Sequence, residues 1–264
     1  MQIRWHAGAG ALLVLATLGI FGCSKSEESR LREAMEKRAA EEDRARKEAQ
    51  SFQPEARKSV DLVLIEAGPF KMGDNSFGGL PERQVTLPAY FIGRKEVSNA
   101  DYAKFVKATD SVPPFNWDGF EPPADRLDHP AIVPQIDAAA YAEWVGCRLP
   151  TKEEWEKAAR GTDGRRFPWG NRFETSKCNS KEAGLGDTVP VGSYPEGASP
   201  YGCLNMAGNV REWTSDSSAD GTRKILKGGS FMDEARYIES AFEAEGRATV
   251  EKSPILGFRV ARDS

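Results

Sequence analysis

The stretch Arg148-Leu149-Pro150-Thr151-Lys152-Glu153-Glu154-Trp155-Glu156-Lys157-Ala158-Ala159-Arg160-Gly161 decides how this chain is read. Thr151 stands at an N-cap position and Glu154 follows three residues later, the spacing of a capping box. Gly161 ends the helix. Trp155, Ala158 and Ala159 share one helical face, which is expected to enter a core. Working outward, Asp137 to Val145 is expected to form a second helix. Ser98 or Asn99 is expected to cap another, with Tyr102, Phe105 and Val106 as its buried face. Leu62-Val63-Leu64-Ile65 reads as a buried strand and Gly68-Pro69-Phe70 as a turn, with the chain resuming through Phe70-Lys71-Met72-Gly73. Gln84 to Ile92 alternates as a single strand. Ser111 to Pro130 is a Pro-rich loop that holds Trp117. Phe167 to Asp220 lacks periodicity, and a loop that long should be functional or pinned by something. Ile225 to Phe231 and Ile255 to Ala261 read as closing strands.

The chain has 264 residues, 39% of them hydrophobic, enough for one sizeable core or two small ones. A net charge of -4 gives no reason to expect nucleic acid as a partner. Gly and Pro are plentiful and the six Trp lie mostly beside turn residues, which suits a loop-rich domain with aromatic anchors.

The N-terminus is of different material. Arg4 and the chain amine precede an apolar run from Ala7 to Phe21, short for a permanent membrane span and typical of a signal peptide. It ends in Ile20-Phe21-Gly22-Cys23, which resembles a bacterial lipobox with a bulky Phe21. An ordinary signal peptide or an uncleaved anchor is the alternative. On the lipoprotein reading, 1–22 is removed and Cys23 carries the acyl chains, since stable anchoring takes more than one. Ser24 follows, not Asp, which favours the outer membrane, periplasmic face, over the inner membrane. Residues 24–59 are rich in Glu, Lys, Arg and Ala. Glu28/Arg32, Glu33/Lys37, Glu42/Arg46 and Asp43/Lys47 are four apart and support an exposed helical spacer. Pro54 ends it, and the globular domain is expected over 60–264.

Several motifs in that domain carry a resemblance. They are Gly68-Pro69-Phe70-Lys71-Met72-Gly73, Glu96-Val97-Ser98-Asn99, the 137–144 and 148–161 helices, Phe167-Pro168-Trp169-Gly170-Asn171 and Pro190-Val191-Gly192-Ser193. Asn205-Met206-Ala207-Gly208-Asn209-Val210-Arg211-Glu212-Trp213, Lys227-Gly228-Gly229-Ser230-Phe231 and Gly257-Phe258-Arg259-Val260-Ala261 complete the series. In this order they resemble the formylglycine-generating-enzyme, or sulfatase-modifying factor, family. The resemblance implies an α+β fold, that family's variant of the C-type lectin fold. It has short antiparallel strands, two to three helices and much irregular chain. Read physically, most of these residues are structural, and Arg259 is suited to pin a loop through several donors.

The resemblance also implies metal sites. Family calcium ligands match Asn205, Gly208, Val210 and Glu212, an oxygen set on a turning backbone that suits a hard cation. A second calcium loop starts at Asn179, with Asp187 as the nearby acid. The family's oxidase holds copper through two cysteines, three and eight residues after the Ser of Gly-Gly-Ser, which here are Asp233 and Ile238. Neither supplies the thiolate that Cu(I) favours, and no Cys follows Cys203. The family's iron branch uses a His triad, and after the leader only His129 remains.

Cys147, Cys178 and Cys203 remain in the domain. Cys178 and Cys203 flank the two calcium loops and are the pair expected to bond in an oxidising compartment. Copper loss points to a non-catalytic binding or scaffold module of an envelope complex, with a protein partner facing Arg211, Ser230, Asp233 and Tyr237. The alternatives are a formylglycine-generating oxidase or divergent relative, and a lectin-like glycan binder that stacks sugars on Trp117 and Trp169.

Overall fold

The computed structural model describes residues 60–75, 81–246 and 253–264, with six helical, exposed positions between 35 and 44. The expected signal peptide, Cys23 and most of the expected 24–59 spacer lie outside the described residues. The chain divides into two compact units, Met1–Glu48 and Ala49–Ser264.

Three helices form in the second unit: α1 (Asn99–Thr109), α2 (Gln135–Trp144) and α3 (Lys152–Arg160). The Ser98 side chain caps α1 by accepting from the Asp101 N–H, and Thr151 and Glu154 complete the capping box of α3. Pro134 precedes α2, so that helix starts two residues before the expected Asp137.

Strands β1 (Leu62–Ile65), β4 (Tyr90–Gly93) and β9 (Ala261–Asp263) form one antiparallel sheet, ordered β1-β4-β9. Strands β2 (Gly68–Met72) and β3 (Arg83–Leu87) form a hairpin. The third sheet runs β7-β6-β5-β8, made of β5 (Arg211–Ser217), β6 (Lys224–Lys227), β7 (Ala244–Gly246) and β8 (Leu256–Gly257).

Several expectations change. Gly68-Pro69-Phe70, expected as a turn, opens strand β2. Gln84 to Ile92 is two strands in different sheets, because Pro88 between them has no N–H for a ladder. The last two expected strands are shorter: Gly228 and Gly229, both at positive φ, end β6, and Ile255 to Ala261 splits into β8 and β9. The 167–220 stretch holds β5, whose successive residues Glu212, Trp213 and Thr214 are all buried, so no alternation marks it.

The largest apolar cluster joins α1, α2 and the third sheet around Tyr102, Phe105, Tyr141, Trp144, Trp213 and Phe258. A second places Trp155, Ala158 and Ala159 of α3 against Ile65, Tyr90 and Ile92, as the helical face required. The first cluster takes in Trp213 of β5, and the candidate site is built at the N-terminal end of that strand.

Candidate functional site

The 205–210 loop turns on residues that accept left-handed backbone: Asn205 at φ 53, Gly208 at φ 82 and Asn209 at φ 63. A Cβ on Gly208 would stand 2.2 Å from the Asn179 carbonyl oxygen, so only glycine fits. The Asn209 N–H donates to that same carbonyl at 2.8 Å. The two expected calcium loops therefore touch at Asn179 and Gly208.

Side chains tie that place together. Asn179 Nδ2 donates to the Asp187 carbonyl at 2.8 Å and to Asn209 Oδ1 at 3.3 Å. Asn209 Nδ2 donates to Glu96 Oε1 at 2.8 Å, and Asn205 Nδ2 to Glu96 Oε2 at 3.2 Å. Beside them Glu212 accepts two bonds of 2.6 Å from Arg259 and one of 2.8 Å from the Trp155 indole. Arg259 also donates to the carbonyls of Gly93 and Leu204, so it pins the chain as expected. Glu96, Asn179, Asn205, Asn209, Glu212 and Arg259 are all buried. Burial pushes the Glu96 carboxyl up to about 7, against the pull of Arg259. Glu96 and Asn209 were missed as participants; the Glu96-Val97-Ser98-Asn99 motif was the available signal.

Calcium fits this donor set. Asn179 Oδ1 is buried with no hydrogen-bond partner, the condition of an oxygen waiting for a cation or a water. Glu212 Oε1 accepts one bond and keeps a lone pair. Asp187 plays a different part from the one expected. It offers Asn179 its backbone carbonyl, while Arg126, 2.5 Å away, takes its carboxylate and holds it below the usual carboxylate range. Among the described residues no group of three His, Cys, Asp or Glu side chains converges as a metal site.

Glu212 points inward from β5, and its neighbour Arg211 points to the other face, as strand geometry dictates. There Arg211 donates to both Asp233 carboxylate oxygens, at 2.8 and 2.5 Å. The Ser230 N–H and hydroxyl donate to Asp233 Oδ2 at 2.8 and 2.7 Å. Asp233 is thus satisfied by four donors. Tyr237 sits on the next turn, packed edge-on against Phe242 and under Arg236.

Ile238 is fully buried in a cluster with Phe167, Cys178 and Ala207. Its Cγ2 would stand 2.6 Å from a Cβ on Gly229. One position aligned with a copper thiolate is therefore an ion pair, and the other is core. The residues do not fit copper. Cys178 does not replace the lost thiolates, because burial pushes its thiol up to about 12. The expected bond between Cys178 and Cys203 is absent: the thiols lie in separate clusters, and no disulfide joins Cys147, Cys178 or Cys203 among the described residues. Trp117 is buried too, its indole donating to Asn99 Oδ1 at 3.0 Å, and Trp169 stacks on Phe167. Trp117 is a packing anchor and offers no face to a sugar.

Residues 48–264 match the family model of the sulfatase-modifying factor enzyme 1-like domain. The chain belongs to this family. It is 33% identical to the formylglycine-generating enzyme of Thermomonospora curvata, over 76% of this chain and 93% of that one. It is 30% identical to the inactive C-alpha-formylglycine-generating enzyme 2 of Bos taurus, over 77% and 88%. Among solved structures, PvdO from Pseudomonas aeruginosa matches with a TM-score of 0.64 at 25% identity, covering 77% of this chain and 94% of that one. The α+β architecture is the family's variant of the C-type lectin fold. Overall identity is similar to a named enzyme and to a relative named inactive, so the site residues must decide between them.

Proposed function

We propose that this chain is a lipid-anchored periplasmic binding or scaffold module that keeps the family's frame and has lost its copper chemistry. The observation that carries this reading is the Asp233 position. A hard carboxylate there is neutralised by Arg211 and fixed by Ser230, and it supplies no thiolate for a soft cation. Ile238 supports it from the other thiolate position, with no donor atom and no exposure.

On this reading the buried Glu96–Asn209–Asn179 chain and the Glu212–Arg259 pair are structural, with calcium as the cation that completes them. Asn205, Glu212 and the carbonyls of Gly208 and Val210 would hold it, and Asn179 would begin a second calcium loop beside them. The cation supplies charge and fixed geometry to the loop.

The test is incubation of the copper-loaded full chain with a Cys-containing sulfatase peptide, followed by mass spectrometry. No aldehyde product above a no-protein control is expected, and product at that level overturns the reading. Anchoring is tested separately: Cys23→Ala should abolish lipid labelling and release the chain from outer-membrane fractions. Unchanged membrane retention and labelling would refute it.

A further inference from the structure

The 110–128 loop differs in charge from the rest of the molecule. Asp110, Asp118, Glu121, Asp125 and Asp128 stand against Arg126 alone, a net of -4, equal to the excess of the entire chain. Arg126 is itself taken by Asp187. All five acids are exposed. The same loop exposes large apolar side chains: Val112 at 79%, Phe120 at 62% and Phe115 at 44%. Exposed apolar groups rimmed by one sign of charge mark an interaction surface.

The loop is also held in place. Trp117, between the two phenylalanines, is buried edge-on against Tyr102, and its indole donates to Asn99. Asn99 Nδ2 donates to the Arg126 carbonyl at 2.8 Å, and the Ala100 N–H to the Leu127 carbonyl at 2.9 Å. Asp118 and Glu121 close a turn around Gly119, at φ 71. A loop ordered before binding loses little further entropy on contact. By contrast, Arg211, Ser230 and Asp233, the face expected for a partner, satisfy one another.

We propose that the 110–128 loop is the docking surface, and that its occupant is a basic amphipathic segment of a partner protein. Apolar anchors of that segment would cover Val112, Phe115 and Phe120, while its Lys or Arg side chains meet Asp118 and Glu121. This deepens the binding-module reading and rests on it. An anionic lipid surface would be repelled by the same carboxylates.

The experiment uses the full chain and two synthetic labelled helices, one with Leu on one face and Lys on the other, the second with Glu in place of Lys. The Lys helix should bind, more weakly as salt rises, and the Glu helix should not. The exposed double variants Phe115→Ser/Phe120→Ser and Asp118→Asn/Glu121→Gln should each weaken binding about tenfold with unchanged melting temperature. No binding of the Lys helix, equal binding of the Glu helix, or wild-type affinity in both variants overturns the proposal. Adsorption to phosphatidylcholine vesicles that needs Phe115 and Phe120, with peptide binding unchanged in the variants, also overturns it, in favour of a lipid surface. Aldehyde product in the peptide-oxidation assay would instead sink the non-catalytic reading and leave this binding result standing.

Discussion

Arg211 and Glu212 are neighbours on β5, yet they enter different surroundings. Glu212 faces inward to Arg259, Trp155 and the asparagine–Glu96 chain, where the family's residues are kept. Arg211 faces outward to Asp233, a position that the family resemblance matches to a copper cysteine. The inner region is buried and every change there threatens the fold. The outer region can trade a thiolate for a carboxylate if a cation and a hydroxyl are supplied to satisfy it. On the proposed reading, this contrast lets a chain keep a family's frame without its copper site.

The comparison breaks most sharply at the inner pair. Arg259→Ala should destabilise the domain by about 3–5 kcal/mol, because it leaves Glu212 buried without its charge partner. Chemical denaturation measures this, and a midpoint close to wild type would show that the inner region is not the frame. Calcium removal comes next. Binding to the folded state alone stabilises by about 2.7 kcal/mol at a hundredfold excess over the dissociation constant. Chelator should therefore lower the melting temperature of wild type, and by less in Asn179→Ala. Elemental analysis that finds no calcium, with an unmoved melting curve, would remove the cation from the account.

The outer pair should be worth less. Asp233→Ala leaves Arg211 without its partner at a half-buried position and should cost about 2 kcal/mol, the scale of a charged hydrogen bond. A loss as large as that of Arg259→Ala would erase the distinction between the two regions.

A smaller effect is the pH dependence set by Glu96. Its folded-state pKa is raised, mainly by burial, from 4.5 to about 7, so the folded state prefers the neutral carboxyl. The stability this contributes is complete below about 4.5 and is lost as pH rises through about 7. Glu96→Gln should flatten that decline in melting experiments run in chelator, since a nearby cation would lower the pKa. An unchanged slope would place the titration elsewhere.

Much of the frame was legible because it is local. The Thr151–Glu154 capping box and the Ser98 cap each span three residues, and Trp155, Ala158 and Ala159 show their shared face by spacing alone. Pro88 was legible in principle, since a residue without an N–H argues against a continuous strand, but alternation across it outweighed that signal. Strand β5 was hidden because burial on both faces removes the period of two. The site was half legible. Its asparagines and Glu212 came from family motifs, whereas Glu96 meets Asn205 and Asn209 across 109 and 113 residues of sequence. Arg211 and Asp233 were singled out as a face for a partner. Their mutual bond was invisible until β5 set Arg211 opposite the turn after Ser230.

The central claim is that the copper positions have become an ion pair and a core contact. It is tested most directly by Cu(I) retention against a soluble thiol competitor, comparing the full chain with Asp233→Cys/Ile238→Cys. The account predicts that wild type yields its Cu(I) to the competitor while a folded double variant holds it more tightly. Wild-type retention of one Cu(I) under competition, unaffected by replacing Asp233, would contradict the account.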